Sequence, residues 1–404
     1  MMFKRAFASI FSLIVLIVVA ATLTAQVVRP IIYATATPAA TAAPTSIYVV
    51  PPNPALGLID PSDFAPTVDF PQAIAGALGP VDFPLDVNPL TGLTLNDPTV
   101  LNRRPLVVKI SNAPPLVRPQ AGIGQADIVY EHYTEGGLTR FSAIYYSQAP
   151  RRVGSIRSAR LIDYELTEMY KGNLAFSGAS GGVEARLNGS EFAARLFKGV
   201  ALGAPYYWRD ENIEVPHNLF TDVEALWTLA GQQNLNQRPF LRGMAFLPSA
   251  LLLTLPYQAD GAATRADIRY RATRILWTYD AATAKYQRSA DGKPHFDADG
   301  IAPLSADNIV IVYAGHYLTD IVESEWQGGV SYSSQITLWP QGDAVLLRDG
   351  QRYDGTWVRA TRPDLLGFRT KDGGLLYLKP GVTWVQVVQL PEQMNPAEEW
   401  VTLE

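Results

Sequence analysis

Two runs, Asp127-Ile128-Val129-Tyr130-Glu131-His132-Tyr133 and Arg140-Phe141-Ser142-Ala143-Ile144-Tyr145-Tyr146-Ser147, precede Leu161-Ile162-Asp163-Tyr164-Glu165-Leu166-Thr167-Glu168-Met169-Tyr170. The first two are rich in β-branched and aromatic residues and read as strands. In the third, Ile162, Leu166, Met169 and Tyr170 recur at helical spacing. Upstream, residues 106–110 form another apolar strand run. Downstream, a helix is expected between 183 and 197, and Thr221-Asp222-Val223-Glu224 has the pattern of a capping box that starts a helix at Thr221. Strands mixed with helices predict a layered α/β domain over 85–257.

Beyond that point the period changes. Ile268, Tyr270 and Ala272 alternate with Arg269, Arg271 and Thr273, and turn dipeptides such as Asp291-Gly292 and Asp349-Gly350 punctuate the rest of the chain. Residues 309–313, 336–339, 356–359, 375–378 and 383–388 are the expected later strands. They predict a small all-β barrel or sandwich over 258–404, so the fold class is mixed α+β. No internal repeat of 20–50 residues is visible.

The composition narrows the chemistry. With 404 residues and 48% hydrophobic side chains, the chain can bury a large core. It has no Cys, which excludes disulfides, thiolate metal sites, a cysteine nucleophile and a lipidated N-terminal cysteine. Its four His are not spaced as metal ligands, so neither metal nor cofactor is expected. A net charge of −5 argues against nucleic acid as a partner.

Lys4 and Arg5 precede an uncharged stretch, residues 6–25, long enough to span a bilayer. Residues 1–32 therefore read as an export signal or membrane anchor, with cleavage and retention both open. Either outcome delivers the remainder outside the cytoplasm. Residues 33–84 are rich in Ala, Thr and Pro and read as an extended tether.

Between Gly136 and Ile162 lie Arg140, Arg151, Arg152, Arg157 and Arg160 with no acid among them, in a chain that is acidic overall. Guanidinium forks match phosphate or carboxylate oxygens, so this is a candidate anion site. In the structural alternative the arginines pair with flanking Asp127, Glu131, Glu135, Asp163 and Glu165. The glycine-rich turn Ser177-Gly178-Ala179-Ser180-Gly181-Gly182 follows an apolar run and precedes a predicted helix. It suits close approach of an anion, and Ser177, Gly178, Ser180 and Gly181 join Arg140, Arg157 and Arg160 as the expected ligand-binding set.

The same turn satisfies G-x-S-x-G. A hydrolase elbow would need Asp210 or Asp222 with His217 or His316 to complete it. Asp127 and Glu131 share a strand face as an acid–base pair or as ion-pairing partners, and His217 is a further candidate for either local hydrogen bonding or base chemistry. Trp326, Trp339, Trp357 and Trp384 are expected in the core.

Several segments carry a family resemblance: Asn88-Pro89-Leu90-Thr91-Gly92-Leu93, Ala126-Asp127-Ile128-Val129-Tyr130-Glu131, Gly136-Gly137-Leu138-Thr139-Arg140-Phe141, residues 153–160, residues 216–221, Asp291-Gly292-Lys293-Pro294-His295 and residues 380–386. Together they resemble the YerB-like family of bacterial exported proteins, often lipoproteins, whose domain has no assigned function. The resemblance implies two domains and an envelope location, and implies no catalytic residue. Lacking Cys, this chain departs from the family's lipid anchor, and residues 6–25 are the natural substitute.

The leading expectation is an extracytoplasmic protein that binds an anionic, cell-wall-derived ligand. One rival is an enzyme acting on envelope glycan or its phosphorylated carriers, with Glu131 or Ser180 reactive. The other is a membrane-tethered scaffold for an envelope protein partner.

Overall fold

The computed structural model describes residues 70–404. The expected signal or anchor at 1–32 and most of the tether at 33–84 therefore lie outside the described residues. Among the described residues no helix is long and apolar enough to cross a membrane. Residues 70–84, read from composition as the end of the tether, lie against the body. Leu78 exchanges backbone hydrogen bonds with Phe246, and Phe83 packs edge-on against the Phe246 ring.

Strands dominate and helices are few. The central sheet contains β1 (Leu106–Ser111), β2 (Ile128–Tyr133), β3 (Thr139–Tyr145), β4 (Asn173–Phe176), β5 (Leu196–Lys198), β6 (Asn308–Trp326), β7 (Gly329–Thr337), β8 (Gln341–Arg348), β9 (Gln351–Val358), β10 (Gly367–Thr370) and β11 (Thr383–Gln389). Its order is β10-β9-β8-β6-β11-β2-β3-β1-β4-β5, with β7 paired to β6 and the short strand Gly261–Ala262 on β9. The sheet is mixed: β1 runs antiparallel to β3 and parallel to β4, while β2 and β6 both run parallel to β11.

Strands from both halves of the chain thus share one sheet, joined where Ile128 faces Thr383 and Glu131 faces Gln386. The C-terminal half is nearly all strand, as its alternation predicts, but it does not close on itself as a barrel or sandwich. Residues such as Ile309-Val310-Ile311-Val312 are apolar on both sides. Such a run needs cover on both faces, which only an inner strand of a layered core supplies.

The two faces carry different layers. On one, Val107, Tyr130, Ile144, Val310 and Val385 pack with α1 (Leu161–Met169) and α2 (Gly181–Asn188). On the other, Val108, Val129, Phe141, Ile311 and Trp384 pack with α3 (Val223–Gln232) and a second sheet containing Ile268, Ile275 and Trp277. Each such side chain taken from water contributes roughly 1.5–3 kcal/mol.

Local details follow the residue types, with shifts. The helix expected between 183 and 197 starts earlier and stops at Asn188, followed by Gly189. The helix start is displaced by one residue, and a simple N-cap replaces the expected capping box. Thr221 ends a strand and Asp222 is the cap, its carboxylate accepting from the Ala225 N–H at 3.0 Å. Residues 375–378 form isolated bridges rather than a strand. The Asp349-Gly350 turn joins β8 to β9 with both residues at positive φ, 52° and 73°, which explains the pair of residue types there. Trp357 and Trp384 are core residues, whereas Trp326 is 59% exposed at the end of β6 and corrects the expectation for that residue.

Candidate functional site

The site is built at one end of β1, β2 and β3, beneath the start of α1. Lys109 on β1 lies opposite Ser142 on β3, and His132 on β2 lies opposite Arg140. Side chains alternate across a strand, so Lys109, His132 and Ser142 all point toward α1. There the Lys109 ammonium donates to Asp163 Oδ1 at 3.0 Å, to Ser142 Oγ at 3.0 Å, and meets His132 Nε2 at 2.7 Å. Ser142 donates to Asp163 Oδ1 at 2.7 Å. All four are fully buried. Burial pulls the Lys109 ammonium down to about 8, opposed by the Asp163 carboxylate. Burial and then the Lys109 charge hold His132 well below its ordinary value, so it stays neutral.

Sequence reading missed this quartet. The available signal was a lysine in Leu106-Val107-Val108-Lys109-Ile110, since a charge in a strand covered on both faces needs a partner.

The second carboxylate oxygen of Asp163 accepts the Arg160 backbone N–H at 2.7 Å, fixing the start of α1. The segment before α1 runs along the edge of β1: Ser111 N–H donates to Ser155 O, and Arg157 N–H donates to Lys109 O at 3.0 Å. Its other side meets the glycine-rich turn, where Ser177 N–H donates to Arg157 O at 3.0 Å and Ala159 N–H donates to Gly178 O at 2.9 Å. Ile156 N–H donates to Leu219 O at 2.7 Å, bringing the His217 loop alongside. Four pieces that the sequence offered separately are therefore neighbours: Arg140, the 157–160 segment, the 177–181 turn and His217.

The three arginines are not equivalent. Arg160 is saturated: it grips both Glu135 oxygens at 2.7–2.8 Å, reaches Glu323 on β6 at 3.4 Å and donates to Ala159 O at 2.9 Å. Glu323 is also held by the Ser333 hydroxyl on β7. Arg140 donates to Ser158 O at 2.7 Å and, among the described residues, has no carboxylate within bridging distance. Burial, then the Arg160 charge, pulls it down to about 9. Among the described residues Arg157 has neither an acid nor any side-chain hydrogen bond, and its Nε is buried. Burial and then Arg160 push its guanidinium down as well. Burial and the Arg157 charge lower the neighbouring His217 against the opposing Glu214 charge, and its buried Nδ1 has no partner among the described residues.

The structural alternative is met for one arginine. Glu135 pairs with Arg160, while the other flanking acids go elsewhere: Glu165 binds Arg359 and Arg362, and Asp163 binds Lys109. Arg151 and Arg152 turn away toward Asp222 at 3.9 Å and Asp210 at 2.9 Å.

The carboxylate-pair chemistry is not assembled. Four residues of strand separate the Asp127 and Glu131 α-carbons by roughly 13 Å, and the two groups serve different networks. Asp127 accepts from Asn88, the Tyr146 and Ser147 N–H groups and the Ser147 hydroxyl, and burial pushes its carboxyl up. Glu131 is buried against Arg288 at 2.7 Å, with Asn112 and Thr139 each at 2.9 Å.

The elbow reading fails too. Ser180 is the N-cap of α2 with ordinary extended φ/ψ of −64° and 156°, and its Oγ has no partner among the described residues. Neither Asp orients a histidine, because Asp210 binds Arg152 and Asp222 caps α3. A groove of about 390 Å³ lined by Pro115, Arg118, Pro294, His295 and Phe296 contains none of the arginine-site residues.

Residues 90–236 match the family described as "Protein of unknown function (DUF3048) N-terminal domain", and residues 266–385 match its C-terminal domain. A relative from Bacillus subtilis (strain 168), described as "Putative lipoprotein YerB", is 30% identical over 306 residues, 74% of this chain and 85% of the relative. The crystal structure of YerB protein from Bacillus subtilis superposes with a TM-score of 0.63 at 27% identity, covering 78% of this chain and 99% of that one. With both domains matched in order and a relative at this identity along most of its length, the chain belongs to the YerB-like DUF3048 family.

Proposed function

We propose that this is an extracytoplasmic protein that binds an anionic envelope ligand at the Arg157 cradle. One observation carries the reading. Arg157 is a partly buried guanidinium without an acid among the described residues, placed beside Arg140 and Arg160, and the charge that acts on it is the repulsive one of Arg160. A scaffold arginine in that position would be expected to have a carboxylate, as Arg160, Arg288 and Arg359 do. Ser180 Oγ and His217 Nδ1 sit on the two adjoining segments as further unengaged polar atoms. This narrows the expected arginine cluster: Arg140 and Arg160 shape the field, and Arg157 makes the contact. The export-like residues 1–32 and the lipoprotein description of the relative support the location.

The test is titration with inorganic phosphate, followed by amide chemical shifts or thermal unfolding. Arg157→Ala should abolish saturable binding and leave the unliganded unfolding midpoint within about 1 °C, and Arg157→Lys should retain part of it. Unaltered phosphate binding in Arg157→Ala would refute the assignment.

A further inference from the structure

β6 outruns its neighbours. It pairs with β8 over Asn308–Val312 and with β11 over Asn308–Ala314, and from Gly315 to Trp326 its only strand partner among the described residues is β7. A two-stranded ribbon of this kind is marginal by itself and needs a surface to pack on. One face has such a surface. A Cβ added at Gly182 of α2 would come within 2.6 Å of Ile321, Glu323 reaches Arg160 at 3.4 Å, and the Ser333 hydroxyl donates to Glu323.

The register identifies the opposite face. Directly opposed residues lie on the same side of a strand pair, and Leu318 opposes Ser334, Val322 opposes Tyr332 and Glu325 opposes Val330. Along β7, positions 330, 332 and 334 alternate onto one side. Register shifts between Leu318 and Val322 and between Val322 and Ser324 bring Leu318, Val322 and Glu325 to that side too. Leu318 is 78% exposed, Val322 38%, and Val330 and Tyr332 42% each, with Trp326 exposed at the end of the ribbon. Among the described residues no other stretch of this length groups so many exposed large apolar side chains. Single exposed apolar residues are ordinary, whereas a contiguous group marks an interaction surface.

The charge on the ribbon selects the partner. Residues 315–337 contain Asp320, Glu323 and Glu325 and neither Lys nor Arg. Glu323 is engaged by Arg160, while Asp320 and Glu325 are exposed and have no cation partner among the described residues. A second copy docking through this face would bring the same acids together, and an anionic bilayer would repel them.

We infer that the outer face of the β6–β7 ribbon docks a polypeptide segment presenting apolar side chains flanked by Lys or Arg. Trp326 and Tyr332 are its anchors, and Asp320 and Glu325 meet the partner's cations. The inference does not depend on the Arg157 assignment.

The experiment titrates the whole protein by calorimetry with three short peptides that alternate Leu with Lys, Gln or Glu, and uses hydrogen exchange to place the contact. The Lys peptide should bind saturably, protect amides within 317–332 and weaken as salt rises. The Gln peptide should bind roughly tenfold less tightly and the Glu peptide not at all. Trp326→Ser with Tyr332→Thr should weaken the Lys peptide more than about tenfold. Asp320→Asn with Glu325→Gln should weaken it roughly fivefold and leave the Gln peptide unchanged. All four positions are exposed, so both double variants should unfold at the wild-type midpoint and keep phosphate binding. Absent binding, equal binding of the three peptides, protection outside the ribbon, or affinity indifferent to both variants would overturn the assignment. So would a concentration-dependent dimer, or adhesion to phosphatidylglycerol vesicles, that Trp326→Ser removes, since either gives the face to another occupant. Arg157→Ala should leave the Lys peptide bound, which separates failure of this surface from failure of the anion site.

Discussion

Replacing Lys109 with Met tests whether the buried quartet holds the site together. The ammonium donates to three groups and, among the described residues, carries the only positive charge bridging the Asp163 carboxylate, and both residues are fully buried. Removing one partner of a buried pair costs about 3–5 kcal/mol, because the remaining charge is left uncompensated. Two features argue for the lower half of that range. Asp163 keeps the Ser142 hydroxyl and the Arg160 N–H, and the lysine's own desolvation, visible in its value of about 8, is relieved. With a urea m-value of about 3 kcal/mol/M, the expected loss moves the unfolding midpoint down by about 1 M. The double variant Lys109→Met, Asp163→Asn removes both charges and should recover at least half of the loss.

Lys109 also leaves a signature in pH. Its folded value near 8 lies below 10.5 for the unfolded chain, so between these values the unfolded state binds more protons and stability rises with pH. The wild type should therefore gain on Lys109→Met between pH 8 and about 10. A Lys109→Met midpoint within about 0.3 M of wild type, or a flat difference across that pH window, would show that the quartet does not carry this weight.

On the opposite face of the sheet, Arg288→Met should cost about 3–5 kcal/mol in chemical denaturation, because Glu131 then keeps only neutral donors. Adding Glu131→Gln should restore part of it, and an additive double variant would deny the coupling. Asp222→Ala removes the cap of α3 and should lower stability by about 1 kcal/mol without altering phosphate binding.

Much of the fold could be read locally. β1, β2, β3, β11 and α1 coincide with apolar runs or helical spacing to within two residues, because burial on a sheet face and a helix stripe impose their periods directly. What eluded the sequence was pairing at a distance. β2 and β11 are neighbours although 255 residues separate Glu131 from Gln386, and no local period announces that contact. β6 was foreseen only as residues 309–313, since beyond them the strand leaves the double-covered core and turns polar, with Asp320, Glu323 and Glu325 among its residues. That unforeseen extension brings Glu323 to Arg160. The arginine cluster was legible as composition. Its division into one saturated, one carbonyl-bound and one unengaged guanidinium was not, because it depends on acids from β6 and from the loop before β3.

That division also bears on why the cluster exists. Two like charges ~8 Å apart repel by roughly 2 kcal/mol at an effective dielectric near 20, a cost a purely structural arrangement could remove by distributing its acids. Here the opposite occurs: Glu135 and Glu323 both converge on Arg160, and Arg140 and Arg157 are left to repel it and one another. Glu135 comes from the turn before β3 and Glu323 from β6, and both reach Arg160 rather than Arg157. On the anion-binding proposal, a ligand at Arg157 relieves this repulsion, and phosphate should raise the unfolding midpoint of the wild type but not of Arg157→Ala.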